Sequence, residues 1–191
     1  MATKIQKAVL TEAAKARIAI CKDVLKHIPV MKVKRGTYCR AFGERNQTLI
    51  NNTSPNSEAQ EYLPVLEKHC NVCALGGMML SYIRKYDNFG MGVFHRHDFG
   101  LERVHITNQL EKFFNSQQLD LIESAFEVPG TASARKSYAL NIKLEEESVH
   151  KDEDWILKQK ARLFGAQHVT PRKRLRAIML NVIKNKGTFK P

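Results

Sequence analysis

Two cysteines three residues apart open the stretch CNVCALGG and are the side chains best suited to metal or thiol chemistry in this chain. Cys70 and Cys73 could supply two of the four ligands of a structural zinc ion, and His95 and His97 in FHRHDFG could complete the set. The H-x-H spacing is shorter than that of common structural zinc sites, and no second C-x-x-C follows. No metal is therefore predicted; if zinc is bound, these four residues are its predicted ligands.

A redox role and a packing role are the other interpretations of the cysteine pair. Redox chemistry needs a lowered thiol pKa, which a helix N-terminus beside Lys68 and His69 could provide. The flanking sequence, however, lacks the strand–helix–strand pattern of thioredoxin-like proteins. If residues 70–86 form one helix, the two cysteines share a face with the glycines at 76–77, which would mark a close approach by another element. We expect packing: both thiols buried, metal-free, on the inner side of that helix.

Charge is concentrated at the two ends of the chain. The formal net charge is +12, and residues 1–50 and 151–191 each contain eleven Lys and Arg against three Asp and Glu. If the ends meet in the fold, they form a cationic surface that attracts nucleic acid or a phosphorylated small molecule. No apolar run approaches the roughly 20 residues that span a bilayer, so no membrane partner is predicted.

The polyanion contacts are predicted in two basic segments, an extended arm and the first turns of the last helix. Their eight residues are Lys32, Lys34, Arg35, Arg40, Arg172, Lys173, Arg174 and Arg176. A helix N-terminus presents free N–H groups to phosphate, and cations there strengthen the attraction. The sequence contains no phosphate-cradling glycine loop and no G-x-S-x-G. No catalytic residue and no cofactor are therefore predicted.

Helical patterns dominate the elements that must position these residues. Apolar residues recur at three- and four-residue steps over 11–28, where Thr11 is a predicted N-cap, and over 170–187, with Thr170 as N-cap, Pro171 in the first turn and Gly187 past the end. We predict a mainly α, compact helical domain with a short extended or two-stranded element near residues 30–42. A single domain over 1–191 is expected, with mobile loops near 43–57 and 128–150 because of their turn-forming residues.

Three blocks resemble known sequences. CNVCALGGMMLS (70–81), FFNSQQLDLIESAFE (113–127) and RLRAIMLNVIKNKGTFKP (174–191) are similar to a group of uncharacterised tailed-bacteriophage and prophage proteins with a C-x-V-C-A-x-G motif and an N-x-G-x-F-x-P ending. The resemblance covers about a third of the chain in separated blocks, and Gly77 stands where the group often has alanine. It implies a small soluble protein of the bacterial host cytoplasm and carries no activity over.

Together, the charge and the resemblance predict a non-enzymatic phage accessory protein that binds nucleic acid or a nucleotide-type molecule. One alternative is an inhibitor of a host protein, such as a component of phage defence or transcription. The other is a zinc-dependent protein that uses the cysteines and histidines. Salt dependence separates the first two, because binding through several cations weakens steeply with salt, whereas a hydrophobic interface does not.

Overall fold

The computed structural model describes residues 9–41, 48, 52–54, 56–86, 90–91, 100–101 and 103–191, and at 39–41 and 100–101 the backbone alone. The predicted mainly α fold is confirmed for this part. Its helices are α1 (Glu12–His27), α2 (Leu63–His69), α3 (Ala74–Lys85), α4 (Arg103–Leu110), α5 (Ser116–Phe126), α6 (Ala132–Glu146), α7 (Glu153–Ala166) and α8 (Pro171–Lys184). Its strands are β1 (Lys32–Val33), β2 (Cys39–Ala41), β3 (Cys70–Val72) and β4 (Gly100–Leu101). None of the described helices is long and apolar enough to cross a bilayer.

Helix α3 forms the centre of the core. Every residue from Ala74 to Ile83 is buried, as is typical of a helix that is apolar on all sides and surrounded by other elements. α1, α4 and α5 pack around it. Gly77 faces Met31 and Leu175, and a Cβ there would lie 3.7 Å from Met31 Sδ and 3.8 Å from Leu175 Cδ2, which are ordinary contacts. The expected close backbone approach at Gly77 is therefore wrong, because side chains fill the space beside it.

A small mixed sheet lies at the start of α3, with strand order β1-β3-β2-β4. β1 runs parallel to β3, with Lys32 opposite Asn71, and β2 runs antiparallel to β3, with Cys39 opposite Val72. The extended element predicted near residues 30–42 thus consists of two strands that flank β3 rather than pair with each other. The prediction that 70–73 is helical is wrong, because β3 takes its backbone hydrogen bonds from strands on both sides.

Helix α8 closes the core with the signals predicted for it. Thr170 accepts a hydrogen bond from the backbone N–H of Lys173, and Pro171 is the first helical residue. The buried face, which packs onto α1 and α5, includes Leu175, Ile178, Met179 and Val182. Gly187 has φ +92°, and a Cβ there would lie 2.9 Å from the carbonyl oxygen of Ala14. The chain then returns and buries Phe189 against Phe164.

Helix α6 occupies most of the segment 128–150, for which a loop is predicted. Thr131 starts the helix by accepting a hydrogen bond from the N–H of Ala134. The loop prediction is wrong for residues 132–146, because the Ser and Ala residues there follow a good N-cap and continue into strong helix formers. Most of the other predicted loop, 43–57, lies outside the described residues.

A candidate polyanion-binding surface

The two predicted basic segments lie side by side. Arg172, in the first turn of α8, donates from Nη2 to the carbonyl oxygen of Met31 at 3.1 Å, and Met31 directly precedes β1. Six predicted contacts in the two segments have exposed side chains: Lys32, Lys34, Arg35, Arg172, Lys173 and Arg176. We call these six residues the basic surface. Residues more than 130 positions apart in sequence therefore contribute to one positively charged region.

Arg40 is the predicted contact whose side chain lies outside the described part of the structure. Its backbone is in β2, paired with Asn71 of β3 and Gly100 of β4. β1 pairs with the other edge of β3, with Lys32 also opposite Asn71. Arg40 and Lys32 therefore flank the same residue, Asn71 of β3. The contribution of the Arg40 side chain to the basic surface stays a prediction.

A glycine turn fixes the arm after β1 to the end of α5. Gly36 adopts φ +74°, a left-handed conformation that residues with a side chain rarely take. Its N–H donates to Oε2 of Glu127 at 2.8 Å, and Arg35 Nη1 lies 3.5 Å from the carbonyl oxygen of Glu127. Burial raises the pKa of Glu127, and the Gly36 hydrogen bond opposes that shift. Glu127 thus holds the arm in place, with its carboxylate at Gly36 and its backbone carbonyl at Arg35.

Arg174 does not belong to the basic surface, and its prediction as an accessible contact is wrong. It is 1% exposed. Its guanidinium donates to three carbonyl oxygens: from Nη1 to Phe126 at 2.8 Å, from Nε to Gly165 at 2.9 Å and from Nη2 to His168 at 2.9 Å. These carbonyls lie at the C-terminal ends of α5 and α7, where the helix dipoles are negative and favour a buried cation.

A periodic signal for the burial of Arg174 is present in the sequence. Arg174, Ile178 and Val182 are four residues apart and share one stripe of α8, which faces the core. Arg172, Lys173 and Arg176 lie on other faces and are exposed. Burial, followed by the charge of Arg35, lowers the pKa of Arg174. Burial and the charge of Arg174 likewise lower the pKa of His168, which favours the neutral imidazole.

The cysteine pair is buried but is not on one helix. Cys70 is in β3, whereas Cys73 is the N-cap of α3, and its Sγ accepts a hydrogen bond from the N–H of Gly76 at 3.5 Å. Burial of both side chains is confirmed. Burial raises the pKa of the Cys73 thiol to about 12. A redox role needs the opposite shift, because the thiolate is the reactive form.

The zinc alternative depends on residues beyond those described. Among the described residues, no three His, Cys, Asp or Glu side chains are grouped so that they could hold a metal ion. His95 and His97 lie outside the described ranges. Elemental analysis of protein purified without chelators tests a four-ligand site: stoichiometric zinc whose removal unfolds the chain would contradict the packing interpretation.

A buried ion cluster is the charged feature that the sequence did not reveal. Arg84 of α3 bridges Asp23 of α1 and Glu67 of α2, each of these acidic residues being 8% exposed. His27 Nδ1 lies 3.4 Å from Asp23 Oδ2. The three elements come together only in the folded chain. Since both carboxylates are paired with a cation, we interpret the cluster as an internal connection between helices rather than as a binding site.

The comparisons with known proteins give no function to transfer. No protein-family model, no curated protein and no solved structure matches this chain. The function is therefore argued from the contacts and charges of the basic surface.

Proposed function

We propose that this chain is a non-enzymatic accessory protein of a phage or prophage that binds a polyanionic ligand in the cytoplasm of the bacterial host. The ligand is nucleic acid or a nucleotide-type molecule, recognised through phosphate. The observation that carries the proposal is the contact between Arg172 and Met31, which brings the two basic segments together. The phage assignment rests on the sequence resemblance alone.

The physical basis is charge concentrated on a supported surface. Six exposed cations lie on β1, the arm after it and the first turns of α8, and a phosphate backbone that they neutralise would release its condensed counterions. The N-terminal end of α8 adds the partial positive charge of its helix dipole. Glu127 and Arg174 act indirectly, because one holds the arm and the other holds the junction of helices next to it.

A matched pair of charge-reversal variants tests the proposal. Arg172→Glu, Lys173→Glu and Arg176→Glu together reverse exposed residues of the basic surface and leave the buried Arg174 intact. Lys184→Glu, Lys186→Glu and Lys190→Glu together reverse three exposed lysines at the other end of α8 and its tail, with the same change in net charge. Fluorescence anisotropy with a labelled DNA duplex, and with a labelled nucleoside triphosphate, measures the Kd of each protein.

We expect the first triple variant to bind about tenfold or more weakly than the unmodified chain, and the control triple variant to bind with little change. Equal loss in both variants would show that net charge alone attracts the ligand. Retention of affinity in the first variant would contradict binding through the basic surface, and absence of binding by the unmodified chain would favour inhibition of a host protein. Circular dichroism melts of all three proteins show whether each is folded in the assay.

A further inference from the structure

Helix α6 has an apolar face that nothing in the described structure covers. The helix packs mainly against α7, and within α6 only Ile142 is buried. Leu140 and Leu144 lie on the opposite side and are 56% and 57% exposed. Single exposed leucines are common, but two at i and i+4 on an edge helix form a continuous apolar strip.

The two ends of this strip carry opposite charges. Lys136, Leu140, Lys143 and Glu147 follow at steps of four, three and four residues, so they lie along one line of the helix surface. Lys136 stands at the N-terminal end of that line and Glu147 at the C-terminal end, roughly 16 Å away. Lys143 lies between them, with its Nζ 3.9 Å from Glu147 Oε1.

The neighbouring acidic residues have partners elsewhere. Glu146 pairs with Lys160 of α7 at 2.8 Å, and Glu145 accepts a hydrogen bond from the N–H of Asp152 at 3.0 Å. Glu147 is 63% exposed and projects along the outer line of α6. Its contact with Lys143 of the same helix is long and exposed, so Glu147 remains accessible to a cation on another molecule.

We propose that α6 is a self-association surface, on which α6 of a second copy of this chain packs in antiparallel orientation. A two-fold axis midway between Lys136 and Glu147 places Lys136 of each copy beside Glu147 of the other. The same axis leaves Leu140 of each copy offset by one residue, about 1.5 Å along the helix, from Leu144 of the other, so the two leucines still touch. An antiparallel pair also aligns the helix dipoles favourably, and a two-fold interface requires this kind of self-complementarity.

One helix face on each side makes a small interface, so the dimer is weak. Interfaces below about 1,200 Å² are typical of weak and transient complexes. The small residues Ser133 and Ser137 flank the strip on its N-terminal side and allow close approach of a second helix. The strip contains none of the six residues of the basic surface, so a dimer carries two copies of that surface for one extended polyanion.

Sedimentation equilibrium of the full chain over a wide concentration range tests this proposal. We expect the unmodified chain to dimerise reversibly and Leu140→Glu with Leu144→Glu to raise the dimer Kd about tenfold or more. Leu180→Glu is the control, because Leu180 is an exposed leucine of α8, 45% exposed and outside the proposed interface. A chain that stays monomeric at every concentration would overturn the proposal, as would a dimer that responds equally to the control.

A charge swap tests the antiparallel arrangement itself. Lys136→Glu and Glu147→Lys should each weaken self-association, since each variant places like charges opposite one another. An equimolar mixture of the two variants should recover association, because every contact in the mixed dimer then joins opposite charges. Failure of the mixture to recover association would overturn the antiparallel pairing. All these positions are exposed, and circular dichroism melts verify that each variant folds.

Discussion

Arg174 Nε donates a hydrogen bond to the carbonyl oxygen of Gly165 at 2.9 Å, and this contact joins α8 to α7. Gly165 is also where α7 lies against α5, because a Cβ at this position would be 1.7 Å from the carbonyl oxygen of Ala125. The guanidinium of Arg174 then reaches Phe126 at the end of α5. The packing of α5, α7 and α8 at this junction thus depends on a residue without a side chain and on a buried cation.

Replacing Arg174 with methionine should destabilise the fold by about 3 kcal/mol or more. Three carbonyl groups lose the guanidinium donor, and each buried polar group left without a partner costs about 1–3 kcal/mol. The carbonyl of Gly165 keeps the backbone N–H of His168, so the loss falls mainly on Phe126 and His168. Urea unfolding followed by the fluorescence of Trp155 measures the change. Arg174→Lys should recover part of the loss, because an ammonium group can serve some but not all three carbonyls. A change below about 1 kcal/mol in Arg174→Met would contradict the role assigned to Arg174.

Gly165→Ala and Gly77→Ala should change stability in different directions. Alanine at 165 places its Cβ within 3 Å of the Ala125 backbone and the Val128 side chain, so the helices must separate, at a cost of about 1–3 kcal/mol or more. Alanine at 77 makes only ordinary contacts and gains up to about 1 kcal/mol of helix propensity. Thermal melts of both variants measure the contrast, and equal effects would refute it.

Glu127→Gln should alter the pH dependence of stability in a defined direction. The pKa of Glu127 is raised in the folded chain, mainly by burial. Its contribution to stability is therefore fully present below the unfolded pKa of about 4.3 and is lost as the pH rises through the folded pKa. Glutamine keeps an acceptor for Gly36 and does not ionise, so the variant should become more stable relative to the unmodified chain as pH rises above that value. Urea unfolding at a series of pH values measures this difference; a constant or falling difference would contradict the assignment.

Cys73 should resist alkylation in the native chain. Its pKa is raised to about 12 by burial, so the reactive thiolate is scarce at neutral pH. Cys21 and Cys70 are buried as well. A short pulse of iodoacetamide followed by peptide mass spectrometry should show these three thiols unmodified until denaturant is added. Rapid native labelling of Cys73 would revive the redox interpretation.

Local signals in the sequence predict the helix ends well. Thr11 and Thr170 act as N-caps as predicted, and Gly187 takes the left-handed conformation just after α8. These features depend on residues within one turn of each other, so the sequence contains most of the necessary information. The clustering of Lys and Arg in the sequence likewise predicts the basic segments, although their contact through Arg172 depends on the tertiary fold.

Two features that the sequence does not predict, strand β3 and the ion cluster, depend on partners that are distant in sequence. Residues 70–72 pair with strands on both sides, which overrides the helical pattern that follows them. The ion cluster joins Asp23 to Arg84, 61 residues apart, and no local pattern reveals it. Arg174 differs, since its place on the stripe of Ile178 and Val182 indicates burial, whereas its charge alone predicts exposure.

The salt dependence of duplex DNA binding by the unmodified chain tests the central claim most directly. If four to six cations of the basic surface neutralise phosphates, the logarithm of the association constant should fall with the logarithm of salt concentration with a slope of about −4 to −5. The triple reversal of Arg172, Lys173 and Arg176 should make this slope shallower by about two to three. Binding whose affinity does not change with salt concentration would contradict polyanion binding by this surface. So would the absence of measurable binding at low salt.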